Sequence, residues 1–399
     1  MTIGALPSPV TSDELYAHAR SCLPGGNSRT TFFVPPHPPY AVRGEGCVLI
    51  DADGREVLDF QGNYTTLVHG HVRREIVEAA SCAIHDGACF GLPTAHEIDL
   101  ARELSTRVPG AERWRFANSG TEAVMVGLRL ARFHTGRPLI LRFNGCYHGT
   151  YDGALEPGAP GVPDAIGEQV LSVPGGDIEA VRRALDDNEG RVACVLFDAM
   201  PNRAGLIPAA LEYVRWLRDE TDRRGILLLL DEIITFRIAY GGMQSLYGLR
   251  PDITVLGKLI GGGFPIGAVG GRADVMGRFD PQAPGHLVHG GTFSANPVSM
   301  RAGLASLRLL TVAEIERINR YGDRLRRELN EQGFRVTGWG SLLRIHAQDP
   351  VALWWRLYEE GVMIAANGLM ATSTAMDDDT LDRALAAFER VQSWVKNQV

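Results

Sequence analysis

Hydrophobic and polar positions change rhythm three times along the chain. Over 40–59 they alternate, interrupted by a Gly-Glu-Gly turn and by Asp51-Ala52-Asp53-Gly54, which predicts a small antiparallel meander. The first forty residues read as loop, punctuated by Pro24-Gly25-Gly26 and Pro35-Pro36-His37-Pro38-Pro39. At 73–86 and 96–107 apolar residues recur at helical spacing. From 113 the rhythm becomes strand, turn, helix, repeated. Short β-rich runs fall at 114–117, 139–143, 193–198, 226–231, 253–256 and 266–270, with helical stretches at 121–135, 177–188 and 209–224. Alternation of this kind predicts an α/β fold with a mainly parallel central sheet and helices on both faces. A further helix begins after Pro297 and runs to about 312. Beyond it, 313–399 reads as a helix, short strands at 334–346 and 362–365, and a last helix near 378–396.

This pattern divides the chain into 1–59, a large domain at 60–296, and 297–399, which holds a connecting helix and a small α+β piece. The two flanking pieces are each too small for much of a core, so they are expected to pack together as one discontinuous small domain. With 399 residues, 45% of them hydrophobic and 22% charged, the composition is that of a water-soluble globular protein. A net charge of -7 and the absence of any polybasic block argue against a nucleic-acid or acidic-membrane binder. No apolar run approaches the roughly 20 residues that cross a bilayer. The run 226–230 ends in Asp231 and Glu232 and reads as a buried strand. The first fifteen residues lack a basic stretch followed by an apolar one, so no signal peptide is expected. The six cysteines are scattered without C-x-x-C spacing, which predicts reduced thiols and a cytoplasmic protein.

Candidate chemistry begins with Asp231-Glu232, an acid pair delivered by five aliphatic residues to the C-terminal end of a strand, where open α/β sheets bind ligands. A carboxylate buried there needs a cationic partner. A protonated pyridine nitrogen would serve, and the plainer alternative is a cap or salt bridge. Lys258 follows in VLGKLIGGGFPIGAVGG, ending one strand and preceding three glycines that let backbone or ligand approach closely. A buried lysine has a depressed pKa, so its free amine can attack an aldehyde and form a Schiff base. Asn118-Ser119-Gly120-Thr121-Glu122-Ala123 opens an amphipathic helix, where capping side chains and the N-terminal dipole suit a phosphate. Tyr147, in GCYHG, has a ring able to lie against a flat cofactor, or is simply a loop tyrosine. Gly290-Gly291-Thr292-Phe293-Ser294 offers N–H groups and hydroxyls for a phosphate, or is a turn before the next helix. His69, His71 and His148 lack metal-binding spacing, so no metal is expected.

In this order the segments PGGNSR (24–29), NSGTEA (118–123), NGCYHG (144–149), DEIITFRIAYGG (231–242), RPDITVLGKLIGGGFPIGAVGG (250–271) and HGGTFSANPVSM (289–300) resemble the class III, fold-type I aminotransferases that use pyridoxal 5′-phosphate (PLP). The similarity covers nearly the whole chain and is greatest to the glutamate-1-semialdehyde aminomutase and β-amino-acid aminotransferase group. The resemblance implies that Lys258 carries PLP as a Schiff base and shuttles a proton, and that Asp231 pairs with the pyridinium nitrogen. It also implies that Tyr147 stacks on the ring, with His148 among the cofactor-binding residues beside it. Ser119, Gly120 and Thr121 would hold the phosphate, and Thr292 would reach the phosphate of the other subunit of a homodimer.

Departures from the aminomutase pattern bear on substrate. DEIIT runs directly into FRIAYGG, one residue shorter than the aminomutase DEVMTGFRIAYGG and similar to the β-amino-acid aminotransferases. GGNSRTTFF also resembles those enzymes, in which an arginine at the position of Arg29 grips the substrate carboxylate. That is a bidentate task suited to guanidinium; the alternative is a surface salt bridge. Semialdehyde aminomutases carry an acid near 365–370. Here that segment has neither acid nor arginine, and Leu369 and Met370 suggest a pocket for a less polar substrate. Asp198-Ala199 stands where relatives often have Glu-Pro, and 150–172 lies where aminomutases have a gating loop. The expected activity is amino transfer between an amino acid, in this reading a β-amino acid, and a keto acid. The rivals are a semialdehyde-type aminomutase, a racemase or epimerase, and a non-catalytic PLP-binding regulator.

Overall fold

The computed structural model describes residues 10–396. They form two compact units, one from the segments up to Arg73 and from Arg317 onward, the other from Arg74 to Glu316. The smaller unit begins with helix α1 (Ser12–Ala19), then the strands β1 (Ala41–Glu45), β2 (Val48–Asp51) and β3 (Glu56–Asp59). The meander is antiparallel, as its alternation predicts. Helix α1 is a correction to the loop reading of the first forty residues. Thr11 and Glu14 form a capping box, each side chain accepting the other's backbone N–H, and S/T-x-x-E is a start signal that the proline-rich surroundings obscured.

The larger unit carries helices α2 (Arg74–Asp86) and α3 (Ala95–Arg107), then β4 (Arg113–Ala117), α4 (Gly120–Thr135) and β5 (Leu139–Phe143). It continues with β6 (Val170–Val173), α5 (Ile178–Asp186), β7 (Val192–Phe197), α6 (Leu211–Arg224) and β8 (Leu227–Asp231). β9 (Ile253–Gly257), β10 (Gly267–Gly271) and α7 (Pro297–Leu309) complete it. Seven strands make one sheet in the order β4-β10-β9-β8-β7-β5-β6. All neighbours run parallel except β10, which is antiparallel to both β9 and β4. The mainly parallel α/β expectation holds, with β6 as an edge strand that the glycine- and proline-rich sequence before it hid.

β7, β8, β9 and β10 are buried at every residue, which is why they read as near-continuous apolar runs rather than alternating ones. The register pairs Phe197 with Leu230 and Asp231 with Val255, so the C-terminal ends of β7, β8 and β9 lie side by side. Helix α4 packs on β9 and β10, and Gly127 lets it come close: a Cβ there would meet Leu229 Cδ1 at 2.8 Å. Helix α7 packs on α2 and on the short turn Lys258–Gly261.

The chain returns to the smaller unit through α8 (Val312–Glu331), β11 (Arg335–Trp339), β12 (Leu342–His346) and α9 (Pro350–Glu359). It ends with β13 (Val362–Met363), β14 (Leu369–Ala371) and α10 (Asp378–Lys396). β13 pairs parallel with β3, so a strand from the C-terminal part extends the N-terminal meander. Helix α9 was not expected; Asp349 caps it and Pro350 occupies its first turn. The unit boundaries also fall elsewhere than the expected 59/60 and 296/297. Residues 60–73 join the smaller unit because Phe60 and Val68 accept backbone hydrogen bonds from Ala371 and Thr374, and α7 joins the larger through its packing on α2. Leu369 and Met370 have no exposed surface, so they cannot line an open substrate pocket; that expectation is corrected.

Gly303 of α7 faces the turn that carries Lys258, and a Cβ there would lie 2.0 Å from the Ile260 carbonyl oxygen. Backbone, unlike the tip of a long side chain, cannot swing aside. Gly303→Ala is expected to destabilise the protein by about 1–3 kcal/mol, read as a lower urea midpoint; an unchanged midpoint would show that the turn yields.

Candidate active site

Four backbone segments of the larger unit converge: the start of α4, the loop 147–149, the end of β8 and the end of β9. Glycines at the crossings permit this. A Cβ on Gly149 would meet Thr121 Oγ1 at 2.5 Å, one on Gly120 would meet Ile233 Cδ1 at 2.7 Å, and one on Gly257 would lie 3.5 Å from Gly120 Cα. Ser119 caps α4, its Oγ accepting the Glu122 N–H at 3.1 Å, while Asn118 donates N–H and Nδ2–H to Glu122 Oε2. The hydroxyl of Ser119 is therefore engaged in capping. The N–H groups of Gly120 and Thr121 precede the first intrahelical bond, from Ala123 to the Ser119 carbonyl, and point to the positive end of the helix dipole.

Asp231 is the last residue of β8 and is 5% exposed. Its Oδ1 accepts the Ile233 N–H at 3.0 Å and its Oδ2 faces His148 Nδ1 at 2.7 Å. A carboxylate only accepts, so Nδ1 carries the proton and donates. His148 is itself 1% exposed, and its Nε2 is buried with no hydrogen-bond partner among the described residues. The structure thus sets His148 directly against Asp231. Glu232 turns the other way. Its Oε2 accepts from Met243 N–H and Thr235 Oγ1 and its Oε1 from Gln244 N–H, while burial pushes its pKa up to about 7.

Lys258 follows β9 immediately, at φ 51, in the left-handed region that L residues avoid. Removal from water lowers its pKa; Asp231 and Asp198 pull it back upward without reversing the direction. Asp198 is the residue that sequence reasoning noted only as a departure. It follows β7 as Asp231 ends β8, one step beyond the Phe197–Leu230 pair, and burial together with the charge of Asp231 holds its pKa well above the carboxylate range. The signal was available: an apolar run delivering an acid to the same sheet end.

Tyr147 is 42% exposed, with the Arg203 guanidinium 4.2 Å from its ring centroid; Arg203 was not singled out in the sequence. Thr292 lies on an exposed loop with Val288 and Phe293. In the smaller unit, Arg29 lines a cavity of about 360 Å³. Its Nη1 donates to Asn63 Oδ1 at 3.0 Å and its guanidinium lies over the Phe32 ring, 3.5 Å from the centroid. Among the described residues no carboxylate pairs with it. Desolvation lowers its pKa somewhat.

Comparison with known proteins agrees with this geometry. The model of the class-III aminotransferase family matches residues 34–391. A glutamate-1-semialdehyde 2,1-aminomutase of Methanocaldococcus jannaschii is 35% identical over 416 residues, covering 95% of this chain and 97% of that one. An omega-transaminase from Sphaerobacter thermophilus superposes with a TM-score of 0.92 at 42% identity, over 96% of this chain and 98% of that one. A beta-phenylalanine aminotransferase from Variovorax paradoxus gives 0.89 at 34% identity, over 97% and 94%. A solved transaminase of the same fold contains bound PLP. The fold-type I expectation and the cofactor are therefore correct, and the chain belongs to the class III aminotransferases, enzymes that depend on pyridoxal 5′-phosphate.

Proposed function

We propose that the protein moves an amino group reversibly between a β-amino acid and a keto acid, with Lys258 as the amine that carries PLP. The observation that bears this reading is a desolvated lysine beside a buried, histidine-backed carboxylate at neighbouring strand ends. The surrounding residues fit the cofactor. The free N–H groups of Gly120 and Thr121 at the start of α4 suit its phosphate. Asp231 suits a protonated ring nitrogen, and Tyr147 supplies an aromatic face. Ser119 supports the phosphate site through its cap on α4. His148 serves through Asp231, whose carboxylate its Nδ1–H holds in place.

Bound PLP supplies the electron sink for the charge that develops when the amino-bearing carbon loses its proton. The protein does the rest. Lys258, kept as a free amine by burial, would hold the cofactor through Nζ and would take and return the substrate proton at the same atom. Asp231 would face the ring nitrogen. Arg29, with N–H groups not used by the protein, grips the substrate carboxylate.

The proposed assembly is a homodimer in which Thr292 reaches the phosphate site of the second copy. Exposed apolar side chains on and near that loop support it: Val288, Phe293 and Ile98, which lines the same cavity as Gly290 and Gly291. All six cysteines are free thiols, which favours a cytoplasmic setting, and no described helix is long and apolar enough to cross a membrane.

Relatives named as semialdehyde aminomutases favour a second reading, in which the amino group moves within one molecule and nothing is released. Incubation with β-phenylalanine and 2-oxoglutarate separates the two. Release of a keto product and glutamate supports transamination; a positional isomer as sole product supports the aminomutase, and an inverted amino acid a racemase. With PLP added, the wild type should show the visible absorption of lysine-bound cofactor and Lys258→Ala should not. An intact band in that variant would remove Lys258 from the site. Arg29→Ala should raise KM for carboxylate donors roughly ten- to a hundredfold, and an unchanged KM would remove Arg29.

A further inference from the structure

We infer that a left-handed turn at Gly62–Thr65 aims Arg29, with Asn63 and Tyr64 as positioning residues for the substrate carboxylate; this rests on the role given to Arg29 above. Four successive residues there have positive φ: Gly62 (51), Asn63 (49), Tyr64 (54) and Thr65 (72). Glycine accepts this region freely and asparagine tolerates it. Tyrosine and β-branched threonine do not, because Cβ crowds the following carbonyl. Such a run persists only where its surroundings over-determine it, and backbone strain of this kind gathers at ligand-binding sites.

Asp59 and Thr65 anchor the turn. Asp59 Oδ1 accepts the N–H groups of Gln61 and Gly62 at 2.9 and 2.8 Å, and its Oδ2 pairs with His71 Nε2 at 2.8 Å. Thr65 is buried, and its N–H donates to the Gln61 carbonyl. What the turn presents is the segment 29–32. Asn63 Oδ1 takes Nη1 of Arg29 at 3.0 Å. Tyr64 donates its hydroxyl to the Thr31 carbonyl at 2.6 Å and stacks on Phe32, with ring centroids 5.7 Å apart and planes within 11°. Phe32 in turn supports the Arg29 guanidinium from below.

Arg29 is thus held on one face and at one nitrogen. Among the described residues its Nε and Nη2 groups meet no acceptor. An amide oxygen at Asn63 is suited to this task, since it fixes the guanidinium without cancelling its charge. A right-handed turn would point the side chains of Asn63 and Tyr64 elsewhere and leave Arg29 with the rotamer freedom of an exposed arginine.

The test is kinetic, on the holoenzyme with β-phenylalanine as donor, alongside the thermal midpoint. Asn63→Gly suits the backbone at φ 49, so the midpoint should hold or rise while KM rises about five- to twentyfold and kcat stays within about twofold. Asn63→Asp should raise KM at least as much, because its carboxylate occupies Arg29. Tyr64→Phe keeps the stacked ring but loses the bond to Thr31, and should raise KM two- to fivefold. The inference is overturned if Arg29→Ala raises KM while Asn63→Gly and Tyr64→Phe leave it at the wild-type value. A KM unmoved by Arg29→Ala removes the role of Arg29 itself, and this inference with it.

Discussion

The rest of the larger unit is arranged around ionisable groups brought out of water at the C-terminal ends of three central parallel strands. β7, β8 and β9 are neighbours in register, so Asp198, Asp231 and Lys258 emerge together from strands that are otherwise apolar except for the buried Thr254. Burial of a charge without a partner is unfavourable by several kcal/mol. The fold meets that cost in three different ways. Asp231 is met by hydrogen bonds from His148 and a backbone N–H, Asp198 is driven towards its neutral form, and Lys258 is driven towards the free amine. The last two shifts are themselves useful, since an amine must be unprotonated to act as a nucleophile and nearby carboxylates must not all be ionised.

Close packing makes the arrangement stiff. Glycines at 120, 149 and 257 bring the helix start, the tyrosine loop and the lysine strand to within contact distance, and Gly303 lets α7 lie directly on the lysine turn. Lys258 sits at positive φ at the start of that turn, a conformation held by the elements on either side rather than preferred by lysine. Glu232, next to Asp231 in sequence, secures the loop that follows by accepting from Thr235, Met243 and Gln244. One acid of the pair meets a histidine side chain and the other secures the following loop. Periodicity delivered them only as a pair, and the resemblance implied a role for Asp231 alone.

The smaller unit applies a comparable constraint to Arg29 by different means. There the backbone itself is strained over 62–65, and Asp59 with His71 holds it. An exposed arginine with no carboxylate partner would ordinarily be mobile; here it is tied to Asn63 and laid on Phe32.

Periodicity determined the parallel sheet, most helices and the positions of Asp231 and Lys258, because fully buried strands write themselves as near-continuous apolar runs and the polar residue ending each run marks the C-terminal end of the strand. The capped start of α4 was equally legible, since capping is a local code. What escaped was of two kinds. Helices α1 and α9 and strand β6 lie among prolines and glycines that mask short local signals, although α1 carried a readable capping box. The remaining features depend on residues far apart in the chain: His148 against Asp231, Asp198 at the strand end next to Asp231, Leu369 and Met370 inside the core instead of a pocket, and Asn63 on Arg29. No spacing rule encodes those pairs. They exist because strand order, register and a left-handed turn bring the atoms together, and only the tertiary structure decides that.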